Sequence, residues 1–245
     1  MTRTEFRTFF VSALGGALEF FDFIIYVFFA GVIGKLFFHS NSEIATLLFA
    51  FNVYASGYAA RFLGGIIFSH YGDRFGRKNN LAITIFLMAI PTFAIGFLPT
   101  YEQIGLTATV LLVVCRIGQG FALGGELPCA LTFVFEHARK EHRAFALGIL
   151  FCGVTFGVFL GSFVGALITH NLTEEQLYSW GWRIAFMSGG LLGGVGFYLR
   201  KRLTESPLFK RFKDVEMRDI PFTRVIKSFK LNLLKTTGAA LVMAV

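Results

Sequence analysis

Residues 144–173, AFALGILFCGVTFGVFLGSFVGALITHNLT, contain no Asp, Glu, Lys or Arg, and they decide the class of this protein. A helix that crosses the hydrocarbon core of a bilayer needs about 20 mostly apolar residues. Across all 245 residues, 55% are hydrophobic and only 16% are charged, whereas a soluble domain carries about a quarter charged residues. We therefore expect an integral membrane protein whose solvent is the lipid bilayer.

Charged residues divide the rest of the sequence into further apolar runs. Six runs are long enough to span a bilayer, and they lie between Arg7 and Lys35, Glu43 and Asp73, Lys78 and Glu102, Glu102 and Glu136, Arg143 and Glu174, and Arg183 and Arg200. The chain becomes apolar again after Lys235, for about half the length of a span. The sequence thus predicts an all-α membrane protein with a six-helix bundle over 1–199, a basic cytoplasmic loop over 200–235 and the truncated start of a seventh helix over 236–245.

The distribution of basic residues predicts the orientation of the bundle. Nineteen Lys and Arg fall in the amino terminus, in the loops after the second and fourth runs and between Arg200 and Lys235, whereas the opposite side has only Lys35 and Arg183. Positive residues concentrate on the cytoplasmic side of membrane proteins. We therefore expect a multi-pass protein of a bacterial-type inner membrane with a cytoplasmic amino terminus. The same rule accounts for the formal charge of +8, so we expect no nucleic-acid partner.

Five charged residues lie inside the apolar runs, where each costs roughly 2.5–3.5 kcal/mol on insertion scales. They are Glu19, Asp22, Arg61, Arg116 and Glu126, and the first two share a helix face because they are three residues apart. One hypothesis is that they bind substrate and protons, since a carboxylate beside an arginine changes its protonation when its partner moves. The other is that they form buried ion pairs that only fix the helix register.

The fourth run carries features of a binding helix. Arg116, Gly120 and Gly124 recur every four residues and predict a stripe along which another helix approaches closely, with Gln119 beside it. Gly124 is followed by another glycine and, four positions on, by Pro128. Proline removes a helical hydrogen bond, so this stretch predicts a broken helix next to Glu126, as at the binding sites of transporters.

Glycines in the fifth run have a different role. Gly153, Gly157, Gly161 and Gly165 are spaced four apart, which predicts a ridge for helix packing rather than a ligand site. The three cysteines have no metal-like spacing, and the sequence contains neither Gly-x-Ser-x-Gly nor His-Glu-x-x-His. We therefore expect no metal site, no cofactor and no enzymatic activity.

Several motifs resemble the major facilitator superfamily and, within it, the metabolite:proton symporters, which include proline/betaine, α-ketoglutarate, citrate and shikimate carriers. The loop Asp73-Arg74-Phe75-Gly76-Arg77-Lys78 is similar to the superfamily signature between the second and third helices, and Arg116-Ile117-Gly118-Gln119-Gly120 is similar to that of the fourth. The narrower resemblance rests on Gly15-x-x-x-Glu19-Phe20-Phe21-Asp22-Phe23, Gln119-Gly120-Phe121-x-x-Gly124-Gly125-Glu126, Trp180-Gly181-Trp182-Arg183 and Glu205-Ser206-Pro207.

The resemblance implies a fold of twelve helices, of which this chain supplies the amino-terminal six and lacks the carboxy-terminal six-helix half. It implies a secondary transporter that takes up a small organic anion or zwitterion, of the carboxylate or betaine class, together with protons by alternating access. The implied substrate and proton site comprises Glu19, Asp22, Arg61, Arg116, Gln119 and Glu126. The alternative is a truncated, transport-inactive membrane remnant or scaffold that needs a separate carboxy-terminal half.

The resemblance also implies a gate at the cytoplasmic ends of the helices. In this expected gate, Asp73 caps a helix of the other bundle, Arg77 pairs with Glu136, and Glu205 pairs with Arg143. The expected gate residues are Asp73, Arg74, Gly76, Arg77, Lys78, Glu136, Arg143 and Glu205. Pairs of this kind contribute under about 1 kcal/mol each in water, which suits contacts that form and break.

The charge distribution generates a topology prediction. In a background without native cysteines, single cysteines at Ser42 and Ser228 are labelled with an impermeant thiol reagent. Ser42→Cys should react in whole cells, and Ser228→Cys should react only in inverted membrane vesicles, because the basic side faces the cytoplasm. The reverse pattern would contradict the predicted orientation.

Overall fold

The computed structural model describes residues 3–39, 42–206, 208–209, 229, 231–232 and 234–238, and in this part of the chain it contains helices and turns but no strand. The helices are α1 (Arg3–Phe28), α2 (Ala30–Phe37), α3 (Glu43–Phe75), α4 (Arg77–Ile95), α5 (Tyr101–Ile104), α6 (Leu106–His137), α7 (Arg143–Asn171), α8 (Glu174–Gln176) and α9 (Trp182–Lys201). Most of the predicted basic loop and of the predicted seventh helix lies outside the described residues.

Six of these helices are long enough to cross a bilayer. By length and composition together, four segments qualify: Glu5–Phe28, Arg77–Ile95, Leu106–His137 and Lys140–Asn171. The helices α3, with 33 residues, and α9, with 20, also have the length of a span, because 20 residues rise about 30 Å. The prediction of an all-α membrane bundle with six long helices is confirmed.

The first apolar run forms two helices rather than one. Phe29 separates α1 from α2 with a backbone ψ of 13°, and the hydrogen bonds from Phe29 N to Ile25 O and from Ile33 N to Phe29 O bridge the interruption at 3.0 and 2.8 Å. The short helix α2 therefore continues the span to the loop before α3. Lys35 in α2 pairs there with Glu43 at 3.0 Å.

The expected break in the fourth span is absent, because α6 continues through Gly124, Gly125 and Pro128 to His137. The two glycines instead provide space for α3. A Cβ at Gly124 would overlap with the backbone carbonyl oxygen of Arg61, and one at Gly125 would overlap with the Cβ of Phe68. Close packing, rather than helix opening, is therefore what this glycine pair makes possible.

Two tightly packed helix pairs form the frame of the bundle, α1 with α7 and α3 with α6. In the first pair, the backbone of α1 at Ala13 and Ala17 lies where a Cβ on Gly153 or Gly157 would stand. In the second pair, Gly120 of α6 faces the backbone of Gly57 in the same way. Helices α4 and α9 pack against each other, α4 also against α6 and α9 also against α1.

This packing predicts opposite effects for two identical substitutions in α7. Gly157→Ala should lower thermal stability, because its Cβ would overlap with the carbonyl of Ala17, and overpacking typically costs about 1–3 kcal/mol. Gly148→Ala is the matched control, since no atom lies within 4 Å of its added Cβ, and alanine is the better helix former by about 1 kcal/mol. Thermal unfolding of the purified chain in detergent measures both. Equal melting temperatures for the two variants would contradict the assigned contact.

Candidate functional site

Asp22 is the centre of a buried polar network between α1, α4 and α6. Arg116 Nη1 donates to its Oδ2 at 3.0 Å, and the amide nitrogen of Gln119 lies 3.1 Å from both carboxylate oxygens. The hydroxyl of Thr92 donates to Oδ1 at 3.0 Å and accepts from Gln119 at 2.7 Å. Three side chains from two helices, α4 and α6, thus hold the carboxylate of α1 in a defined geometry.

The guanidinium of Arg116 is held from two sides. Its Nη1 also donates to the side-chain oxygen Oε1 of Gln119 at 2.7 Å, and its central carbon lies 3.7 Å from the ring centroid of Tyr26. A cation over an aromatic face gains about 2 kcal/mol or more when it is desolvated. Within the described residues, Nε and Nη2 of Arg116 have no hydrogen-bond partner, so this buried cation retains donors for a further acceptor.

A second ion pair joins α1 to α3. Arg61 Nη2 donates to Glu19 Oε1 at 2.5 Å, with Glu19 fully buried and the Arg61 side chain 24% exposed. The second oxygen of Glu19, Oε2, lacks a hydrogen-bond partner among the described residues. Compared with Asp22, the Glu19 carboxylate therefore depends on one donor, and that donor belongs to a side chain at the surface of the bundle.

A third pair lies between α6 and α9. Both nitrogens of the Arg200 fork contact Glu126, at 2.5 and 2.7 Å, and Thr84 donates to the same carboxylate at 2.7 Å. Arg200 also donates to the carbonyl of Leu81 at 3.0 Å and to that of Ser12 at 3.2 Å. This arginine, whose side chain is 0% exposed, therefore connects four helices.

Arg200 lies inside the bundle rather than in the predicted basic loop. It was assigned to the cytoplasmic loop, but α9 extends to Lys201 and turns this side chain inwards. Glu126 thus has its own partner, and each of the three buried acids pairs with a different arginine. The motif Gly15-x-x-x-Glu19 held a signal that sequence reasoning missed, because a Cβ at Gly15 would overlap with the Arg200 guanidinium.

The predicted gate residues meet at one end of the bundle. Arg77 pairs with Asp73 at 3.3 Å and with Glu136, and the hydroxyl of Ser206 donates to Glu136 as well. These contacts join the end of α3, the start of α4, the end of α6 and the segment after α9. The backbone nitrogen of Lys78 donates a hydrogen bond to Glu205, and the Arg74 guanidinium lies 5.5 Å from the ring centroid of Phe75.

Glu205 has a different partner from the one expected. It does not pair with Arg143, which lies 3.9 Å over the ring of Phe135. Instead, Glu205 accepts from the backbone nitrogen of Lys78 at 3.2 Å, where the exposed amides of a helix amino terminus attract a carboxylate. Gly76, with φ of 104°, makes this possible, because any Cβ there would overlap with Glu205 Oε2.

Six long apolar helices around three buried ion pairs define a polytopic membrane protein with a polar interior. The model of the family described as Major Facilitator Superfamily matches residues 12–245. The chain belongs to the Major Facilitator Superfamily, which confirms the resemblance found in the sequence.

Relatives and solved structures agree with this assignment. The chain is 40% identical over 203 residues to the proline/betaine transporters of Salmonella typhimurium and Escherichia coli K12, covering 83% of this chain and 41% of each relative. The xylose transporter XylE from E. coli, in a partially occluded inward-open conformation, matches with a TM-score of 0.76 at 22% identity, over 86% of this chain and 52% of that one. Overall, the chain spans about half the length of the curated relatives it matches.

The pair Glu126–Arg200 generates a stability prediction. Glu126→Gln and Arg200→Met should each destabilise the purified chain by roughly 3–5 kcal/mol, because each leaves a buried charge without its partner. The double variant should cost clearly less than the sum of the two. Unfolding in mixed detergent micelles measures the free energies. The control Glu5→Gln breaks a pair with Arg139, which is 53% exposed, and should change stability little. If the double Glu126→Gln, Arg200→Met variant lost as much stability as the two single variants together, the coupling of these residues would be contradicted.

Proposed function

We propose that this chain is the amino-terminal half of a secondary transporter of the inner membrane that couples proton entry to uptake of a small organic zwitterion or anion by alternating access. The observation that carries the proposal is the set of three buried acid–arginine pairs within a lipid-spanning bundle. Such charges are expensive in a membrane and mark ion or substrate pathways. The names of the relatives, proline/betaine transporters, support the carboxylate or betaine class of substrate.

Glu19 is the best candidate for the proton carrier among the three acids. Asp22 is held by Arg116, Gln119 and Thr92, and Glu126 is held by both nitrogens of an arginine fork. Glu19 accepts from one donor, Arg61, whereas Glu126 accepts from Arg200 and Thr84. In the described part of the chain, one oxygen of each of these two carboxylates has no hydrogen-bond partner. Because loss of charge at Glu19 would break the fewest contacts, protonation is least costly at this site.

Protonation of Glu19 provides a mechanism of coupling. A neutral Glu19 no longer attracts the Arg61 guanidinium, which is partly exposed and becomes available to a carboxylate of the substrate. Arg116, whose Nε and Nη2 have no hydrogen-bond partner within the described residues, is the second candidate for substrate binding. Proton and substrate then bind together because each favours the same state of Arg61.

The contacts around Arg77 and Glu205 form the proposed cytoplasmic gate. Arg77 with Asp73 and Glu136, and Glu205 with the start of α4, connect four segments at one end of the bundle. The Asp73 side chain is 37% exposed, and exposed pairs contribute little individually, so a modest change in helix position is enough to exchange this partner of Arg77. The gate would close when these contacts hold the helix ends together and open when they separate.

The decisive test separates uphill uptake from exchange in the complete transporter, meaning this chain assembled with a carboxy-terminal six-helix half. Glu19→Gln should abolish uptake driven by a pH gradient but preserve exchange of labelled for unlabelled substrate, since exchange need not cycle the proton. Arg61→Gln should weaken both, because it removes the substrate contact. Proteoliposomes with an imposed pH gradient provide the measurement.

Two controls make this test interpretable. The chain reconstituted alone should accumulate no substrate, because alternating access is the movement of one bundle against another; accumulation by the chain alone would contradict the half-transporter proposal. Uphill, pH-driven uptake that survives the combined Glu19→Gln, Asp22→Asn and Glu126→Gln changes would remove all three acids from the coupling. If the chain showed neither uptake nor exchange with any carboxy-terminal six-helix half, the alternative of a membrane scaffold would be favoured.

A further inference from the structure

Four aromatic rings cluster beside the Glu19 and Asp22 pairs. The Tyr54 ring centroid lies 5.6 Å from that of Phe23, 5.7 Å from that of Tyr26 and 5.2 Å from that of Tyr58. Phe23 and Tyr58 stack at 5.2 Å. The cluster therefore joins α1 to α3 at the level of the ion pairs, and the mechanism of coupling makes no use of it.

Helical spacing brings these rings to the charged faces. Glu19, Asp22, Phe23 and Tyr26 follow the i, i+3, i+4, i+7 pattern along α1, so they share one face. On α3, Tyr54, Tyr58 and Arg61 follow the i, i+4, i+7 pattern. The aromatic rings and the two ion pairs thus line the same contact between α1 and α3.

The rings already accept cations in this structure. Arg116 lies 3.7 Å from the Tyr26 centroid and 5.7 Å from that of Tyr54, and Arg61 lies 5.9 Å from that of Phe23. One ring also has a free side, because Tyr58 stacks on Phe23 and is nevertheless 43% exposed. The Tyr58 hydroxyl meets only that of Tyr54, at 3.4 Å, in the described part of the chain.

Among the described residues, the three buried acids leave no partner for the positive end of a zwitterion. Asp22 is engaged by Arg116, and Glu126 by Arg200, while Glu19 is neutral once it carries the proton. Within the described residues, the surface beside Arg61 that suits an ammonium group is therefore the aromatic one. Aromatic faces attract cations through the ring quadrupole and are suited to quaternary ammonium groups, which have no N–H donors to satisfy.

We propose that Tyr54 and Tyr58 form the binding surface for the methylated ammonium group of a betaine-type zwitterion whose carboxylate binds Arg61. This inference rests on the proposed transport function and deepens it, since it assigns the positive end of the substrate to two named rings. It makes these tyrosines determinants of specificity, favouring methylated ammonium zwitterions over carboxylates of the same shape without the charge.

The test compares two ligands of nearly identical shape in the complete transporter. Glycine betaine and 3,3-dimethylbutyrate differ by a nitrogen cation in place of a carbon, so only the first gains from a cation–π contact. Each competes with uptake of a labelled carboxylate or zwitterion that the transporter accepts. The native transporter should prefer glycine betaine by about tenfold or more, since 1.4 kcal/mol corresponds to tenfold and such contacts reach this range.

Substitutions then assign the preference to the rings. Tyr58→Leu and Tyr54→Leu should each reduce the preference for glycine betaine about three- to thirty-fold while leaving inhibition by 3,3-dimethylbutyrate nearly unchanged. Tyr58→Phe keeps the ring face and should keep the preference. Phe62→Leu is the matched control, because Phe62 lies on the same helix but is 79% exposed, and it should change neither inhibition constant.

The outcomes separate the two proposals. Equal inhibition by both ligands in the native protein, or an undiminished preference in the double Tyr54→Leu and Tyr58→Leu variant, would overturn the assignment while the proposed transport function stands. Parallel loss of inhibition by both ligands in the leucine variants would also overturn it, since rings that only pack the helices do not sense the charge. Failure to take up any carboxylate or zwitterion would reject the proposed function itself.

Discussion

A charged side chain in a lipid-spanning bundle needs a partner, and this constraint shapes the whole interior of the protein. Water is absent from the hydrocarbon core, so an unpaired ion there loses its hydration without compensation. The bundle meets this requirement three times, with Glu19–Arg61, Asp22–Arg116 and Glu126–Arg200. Each pair joins different helices, so the packed bundle must place each acid within reach of its arginine.

The pairs differ in how completely they are satisfied, and this difference separates structure from function. Arg200 contacts Glu126 with both terminal nitrogens and also donates to two backbone carbonyls. This number of contacts suits a fixed connection between helices. Glu19 has a single donor on a partly exposed arginine, which suits a contact that changes with protonation. One chemical motif, a carboxylate beside a guanidinium, thus supports rigidity at one position and switching at another.

Glycine sets how closely the helices around these pairs pack. Gly120 and Gly124 bring α6 against α3, and Gly157 brings α7 against α1. In α6 the glycine pair followed by proline lies within a continuous helix, packed against α3. The space that a missing Cβ leaves is filled by the backbone of a neighbouring helix, so the glycines contribute proximity rather than flexibility.

The sequence by itself determined the membrane class, the six spans and the set Glu19, Asp22, Arg61, Arg116 and Glu126, because apolar length and the cost of a buried charge are local properties of the chain. It did not determine which acid pairs with which arginine. Arg200 stands one residue before the end of α9 in a basic stretch, and only the packing of four helices turns it inwards to Glu126. Pairing depends on helix rotation and distance across the bundle, and these arise only when all the helices pack at once.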